Sequence, residues 1–121
     1  MKRILLMDDS EIFLEVFRTA LEKEGYEVVC ANGLAQLAEV RQGPSHLVLM
    51  DVQMPEAFGD DIAFTLRNVY GISAPIYLLS ALDEADLADR VAWAGIEGYI
   101  SKELGVEAII GRVRSIVPVE S

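Results

Sequence analysis

The chain has 121 residues, a formal charge of −10 and a single cysteine, Cys30. That length suits one domain able to bury roughly two thirds of its unfolded surface. The lone thiol excludes an internal disulfide, and the acidic excess argues against direct binding of nucleic acid, which needs clustered Lys and Arg. No apolar run approaches the roughly 20 residues of a membrane span, so no membrane role is expected. The basic start Met1-Lys2-Arg3 leads only into Ile4 to Met7 before Asp8-Asp9 interrupts, too soon for a signal-peptide core. The chain reads as cytoplasmic, a single domain over residues 1–121 with no linker.

Lys2 to Met7 predicts a strand. Ser10 can cap a helix in which Ile12, Phe13, Val16, Phe17, Ala20 and Leu21 recur at helical spacing, and Gly25 ends it. Tyr26 to Cys30 is a short strand, followed by a second helix marked by Leu34, Leu37, Ala38 and Val40 that closes before Gly43-Pro44. Leu47 to Met50 is continuously apolar, as a central strand covered on both faces should be. Asp60 and Asp61 suit the first turn of a third helix, with Ile62, Leu66 and Val69 expected inward. Ile76 to Leu79 forms a fourth strand, and Asp83 caps a fourth helix through about Ala94, stopped by Gly95. Gly98 to Ser101 is a fifth strand, after which Val106, Ile109, Ile110, Val113, Ile116 and Val117 draw the clearest amphipathic stripe. Five strands alternating with five helices predict βαβ units with right-handed crossovers, hence a mainly parallel α/β sheet with helices on both faces.

In such a sheet, ligands sit outside the carboxyl ends of the strands. Four predicted strands end there in polar groups: Asp8-Asp9, Asp51, Ser80 and Lys102. Each has a plain alternative, the acids as helix cap or turn residue, Ser80 as a turn donor, Lys102 as a solvated charge. Together they describe a phosphate and metal site. Two carboxylates about 4 Å apart repel by roughly 4 kcal/mol at an effective dielectric of 20, so the acids call for a cation. All-oxygen donors suit Mg²⁺, with Mn²⁺ as alternative, better than zinc. Asp51, at the end of the most apolar strand and before a Met54-Pro55 turn, is placed as a nucleophile that can form an aspartyl phosphate. The metal and Lys102 would neutralise the incoming phosphoryl group, and Ser80 would donate a hydrogen bond to it.

Asp8-Asp9, Asp51-Val52-Gln53-Met54-Pro55 with Gly59 beyond, Ser80-Ala81, and Gly98-Tyr99-Ile100-Ser101-Lys102, in this order and spacing, resemble the receiver domain of two-component response regulators over essentially the whole chain. The resemblance implies a three-layer, flavodoxin-like doubly wound fold with strand order 2-1-3-4-5, for which a member of this family is a known example. It implies that Asp51 is the phosphoacceptor, that Asp9, Asp51 and the Gln53 backbone carbonyl bind Mg²⁺ directly, and that Asp8 acts largely through water. Ser80 and Tyr99 would be the switch pair and Lys102 the lysine that contacts the acceptor. The family usually has proline after that lysine, often in cis; here Glu103 follows, so a trans peptide is expected, and Glu103 is a competitor for the ammonium.

The function so implied is a switch rather than an enzyme, one that takes a phosphoryl group from a sensor histidine kinase or phosphotransfer protein and assists its own phosphorylation and dephosphorylation. It would signal through the surface of the fourth helix, fifth strand and fifth helix to a downstream protein or fused output domain, or through a homodimer. No output domain is expected within these residues. A Mg²⁺-dependent aspartyl-nucleophile phosphohydrolase is the main alternative, disfavoured because Gln53 stands where such enzymes carry a second aspartate. A pseudo-receiver is disfavoured because every reactive position is filled. Trp93 is expected over the core edge, with an exposed docking spot as the other reading. His46, alone at a strand start, is not expected to carry phosphate.

Overall fold

The structure, a computed structural model, describes residues 1–31, 45–53 and 59–119. Along the chain come β1 (Arg3–Met7), α1 (Glu11–Glu24), β2 (Glu27–Ala31), β3 (Leu47–Met50), α2 (Gly59–Asn68), β4 (Ile76–Ser80), α3 (Glu84–Ala94), β5 (Gly98–Ser101), a 3-10 turn (Lys102–Leu104) and α4 (Val106–Ile116). The five strands make one parallel sheet in the order β2-β1-β3-β4-β5, as expected. The helix predicted around residues 34–40 and the Met54-Pro55 turn lie outside the described residues. The predicted fourth and fifth helices are α3 and α4.

Side chains alternate across the strands with period two, and each face finds its own cover. Ile4, Leu6 and Leu49 pack with Leu14, Phe17 and Leu21 of α1 and Ile109, Ile110 and Val113 of α4. Leu5, Met7, Val48, Met50 and Leu78 pack with Ile62, Ala63 and Leu66 of α2 and Leu87 and Ala94 of α3. β3 is fully buried from end to end, which explains its unbroken apolar run. The helix ends follow local chemistry. Ser10 Oγ accepts the Phe13 backbone N–H at 3.2 Å, and Gly25 closes α1 with φ 108° in the left-handed region.

Four expectations are corrected in whole or in part. The stripe on α1 carries two faces: Leu14, Phe17 and Leu21 are buried, while Ile12 and Val16 are exposed. Ile12 lies about 200° around the helix from Leu14, at 100° per residue, so the two cannot share a face. Val69, expected inward, is 71% exposed: it sits one residue past the end of α2 at Asn68, its N–H still bonded to the Thr65 carbonyl at 2.8 Å, but its side chain is not covered by the sheet. Asp83 does hold the N-cap position of α3, its backbone carbonyl accepting the Leu87 N–H at 3.0 Å, but its side chain makes no capping hydrogen bond. Trp93 is 58% exposed rather than laid over the core edge, and its ring meets Phe64 of α2 at 5.2 Å between centroids.

Candidate functional site

The order of the strands creates the site. The chain runs from β1 outward to β2, then returns to place β3 on the other side of β1, so the crevice between opposed crossovers opens beyond the ends of β1 and β3. Asp8 is the residue after β1 and Asp51 the residue after β3. Their backbones are still anchored to the sheet, Asp51 N–H donating to the Met7 carbonyl at 2.8 Å and Asp8 N–H to the Ala31 carbonyl at 3.1 Å. Carboxylate oxygens of Asp8, Asp9 and Asp51 lie within 4.8 Å of one another. Asp8 and Asp51 are only 1% and 6% exposed, whereas Asp9 faces solvent.

Burial first, and the neighbouring Asp8 charge after it, push the Asp51 carboxyl up to about 6, against the opposing pull of Lys102 and the Gln53 backbone N–H. One lysine among three acids leaves negative charge uncompensated. Oxygen donors of this kind, with excess charge and one solvent-facing member, fit a hard divalent cation such as Mg²⁺. Asp8 is held for this arrangement from its other oxygen, since Oδ1 accepts the Ser10 backbone N–H at 2.9 Å.

Lys102 enters from the 3-10 turn after β5. Its Nζ stands 2.8 Å from Asp8 Oδ2 and 3.7 Å from Asp51 Oδ1, and 3.9 Å above the centroid of the Phe13 ring. The Lys102–Glu103 peptide is trans, as expected. Glu103 does not take the ammonium; its backbone N–H donates to Ser101 Oγ at 3.2 Å, which caps the turn that aims Lys102. Ser80, 1% exposed, closes β4 beside β3, and its Oγ accepts the Leu82 backbone N–H at 3.2 Å.

The structure therefore gathers Asp8, Asp9, Asp51 and Lys102, and sets Ser80 on the adjacent strand end. Gln53 reaches the site through its backbone, its side chain being exposed. Tyr99 stands apart: half-buried on β5, it donates from its hydroxyl to Glu84 Oε1 of α3 at 3.3 Å. His46 lies at the opposite end of the sheet, where its Nδ1 accepts the Arg3 backbone N–H at 2.9 Å. Sequence reasoning missed Phe13 as a neighbour of the site. Its spacing marks it as a packing residue, and nothing local signals that a lysine from the far end of the chain lies on its ring.

A sequence profile of the response regulator receiver domain matches residues 4–114. The chain is 30% identical over 116 residues to the polar-differentiation response regulator DivK of Brucella anthropi, covering 94% of each chain. Among solved structures it superposes on the response regulator TrrA of Thermotoga maritima in complex with Mg²⁺-BeF with a TM-score of 0.82 and 31% identity, covering 97% of this chain and 100% of that one. The chemotaxis protein CheY4 of Vibrio cholerae gives a TM-score of 0.87 at 23% identity, over 97% and 99% of the two chains. Receiver domains of this kind are phosphoryl-accepting switches and are not generally classed as enzymes. With the profile spanning nearly the whole chain and an acidic crevice at the sheet's switch point, this protein belongs to the family of response regulator receiver domains.

Proposed function

We propose that Asp51 is the phosphoacceptor of this receiver and that Asp8, Asp9 and Asp51, with the backbone carbonyl of Gln53, hold the Mg²⁺ (or Mn²⁺) it uses. The observation that carries this reading is the convergence of three carboxylates from two strand ends with the ammonium of Lys102. The pKa of Asp51, pushed up to about 6, leaves it mostly ionised near neutral pH, as a nucleophile must be, and strengthens its oxygen as a base.

An Asp51 oxygen bonds to phosphorus as the bond from phosphorus to the donor's imidazole nitrogen breaks, and the freed electron pair stays on that nitrogen. The metal, when bound, supplies positive charge to the phosphoryl oxygens. Lys102 supplies the second positive group, already beside Asp51. Ser80 exchanges its bond from Leu82 for one that it donates to a phosphoryl oxygen. Displacement of Ser80 draws Tyr99 off Glu84, and the surface of α3, β5 and α4 changes with it. The phosphoryl group biases two pre-existing arrangements rather than building a new one.

The donors are a sensor histidine kinase or a phosphotransfer protein, and the readers are a downstream protein, a fused output domain or a second copy through α3, β5 and α4. The receiver also promotes hydrolysis of its own phosphoryl group. It is cytoplasmic, and residues 1–121 act as one receiver unit. Incubation with acetyl phosphate and Mg²⁺, followed by intact mass, tests the central assignment: one phosphoryl group is gained, and Asp51→Asn gains none. Repeated turnover of a phosphomonoester without net labelling would instead identify a phosphohydrolase.

A further inference from the structure

The ammonium of Lys102 is restrained from two sides of different chemistry. On one side are two carboxylates, at 2.8 Å and 3.7 Å; on the other is the face of Phe13, at 3.9 Å. The ring cannot swing away freely, because it stacks on Phe17 with centroids 4.2 Å apart, and Phe17 is buried in the core under α1. The turn that carries Lys102 is fixed by Ser101 through the Glu103 backbone N–H, which leaves the four-carbon stem as the mobile part.

The carboxylate restraint cannot last through the reaction. Asp8 and Asp51 are the groups that a cation and a phosphoryl group engage, so the lysine must let go of Asp8 and turn toward the phosphoryl oxygens. A third carboxylate there would hold the lysine only by competing with the phosphoryl group for its charge. An aromatic face attracts the ammonium without carrying net charge. It is therefore the contact that survives the exchange of partners.

We infer that Phe13 is a positioning residue for phosphoryl transfer, a neutral pivot that keeps the Lys102 ammonium over the acceptor while its anionic partners change. The inference rests on Asp51 being the phosphoacceptor. It goes beyond the acidic cluster and the lysine themselves, to a ring argued to act through its contact with Lys102.

The test is a double-mutant cycle on the full chain, read as the rate of labelling by acetyl phosphate at saturating Mg²⁺. Phe13→Leu keeps an apolar side chain on the core and removes the ring face; labelling slows by about five- to tenfold, the range of a partly desolvated cation–π contact. Phe13→Tyr restores the face and recovers the rate. In a Lys102→Met background, Phe13→Leu has no further effect, which a merely structural role would not produce. A second readout needs no phosphorylation: ring-current shielding of the Lys102 Cε protons by NMR, present in the wild type and in Phe13→Tyr, absent in Phe13→Leu. Equal slowing with and without Lys102, no slowing at all, or no shielding in the wild type overturns the pivot alone. A wild type that takes up no phosphoryl group overturns the acceptor reading, and the pivot with it.

Discussion

A Cβ on Gly59 would stand 1.8 Å from the carbonyl oxygen of Asp51 and 3.0 Å from the Cα of Val52. The first residue of α2 thus lies directly on the backbone that carries the Asp51 carboxylate, and its N–H donates to the Val52 carbonyl at 2.8 Å. Both partners in the clash are main chain, so no rotamer change relieves it. Gly59→Ala is expected to cost about 3 kcal/mol or more of folding stability in urea unfolding, and to slow labelling of Asp51 in whatever fraction remains folded.

Asp51 is a cost to the metal-free fold. Its pKa is pushed up to about 6 in the folded protein against a usual 3.8. A raised carboxyl favours the folded state at low pH, so the penalty is full above about 6 and fades as pH falls toward the unfolded value. In chelator at pH 7, Asp51→Asn should therefore be more stable than the wild type by about 2 kcal/mol. Denaturant unfolding at successive pH values should show that difference shrinking between pH 7 and pH 4, since the asparagine carries no such proton. A difference that grows on acidification would refute the assignment of burial and Asp8 as its causes.

Added Mg²⁺ is expected to reverse the balance. A ligand held only by the folded state stabilises by mass action, so the midpoint of thermal unfolding should rise with Mg²⁺ for the wild type. Asp9→Asn and Asp51→Asn should each remove most of that rise. Asp9 is the sharper probe, because it is exposed and contributes little to the fold without metal.

Ser80 gives a test of how the site speaks to the surface. Its hydroxyl is buried and already bonded to the Leu82 N–H. Ser80→Ala should leave Asp51 able to accept a phosphoryl group from acetyl phosphate, while the α3, β5 and α4 resonances stop responding to it. Full retention of that response in NMR spectra would show that the signal travels by another route.

The tie between α2 and the start of β4 is expected to matter for stability alone. Arg67 makes a two-pronged pair with Glu97, at 2.8 Å and 3.1 Å, and also donates to the Ala74 carbonyl, while Glu97 accepts the Ile76 backbone N–H. The Arg67 hydrogen bonds hold the Glu97 carboxyl below its usual value, so its contribution is present at neutral pH and is lost as pH falls through the acid range. Because the pair is partly solvated, Arg67→Ala should cost only about 1 kcal/mol, with labelling unchanged.

How much of this the sequence announces depends on the range of the interaction. Strand bounds are legible because burial on two faces leaves continuous apolar runs such as Leu47 to Met50, and the strand-end residues Asp8, Asp51, Ser80 and Lys102 follow from those bounds. The α1 face was harder to read, since Ile12 and Val16 are as apolar as Leu14 and Phe17 yet lie on the open side. Contacts between remote segments left no local mark. Nothing around Phe13 points to Lys102, and nothing around Phe64 points to Trp93.

Trp93, the only tryptophan in the chain, rests on Phe64 at the open seam between α3 and α2. Light absorbed by its indole is emitted from one defined place, so the colour and polarisation of that emission respond when the contact between the two helices changes. The molecule thus comes with an optical gauge of its own, readable without label and in real time as donors are mixed with it.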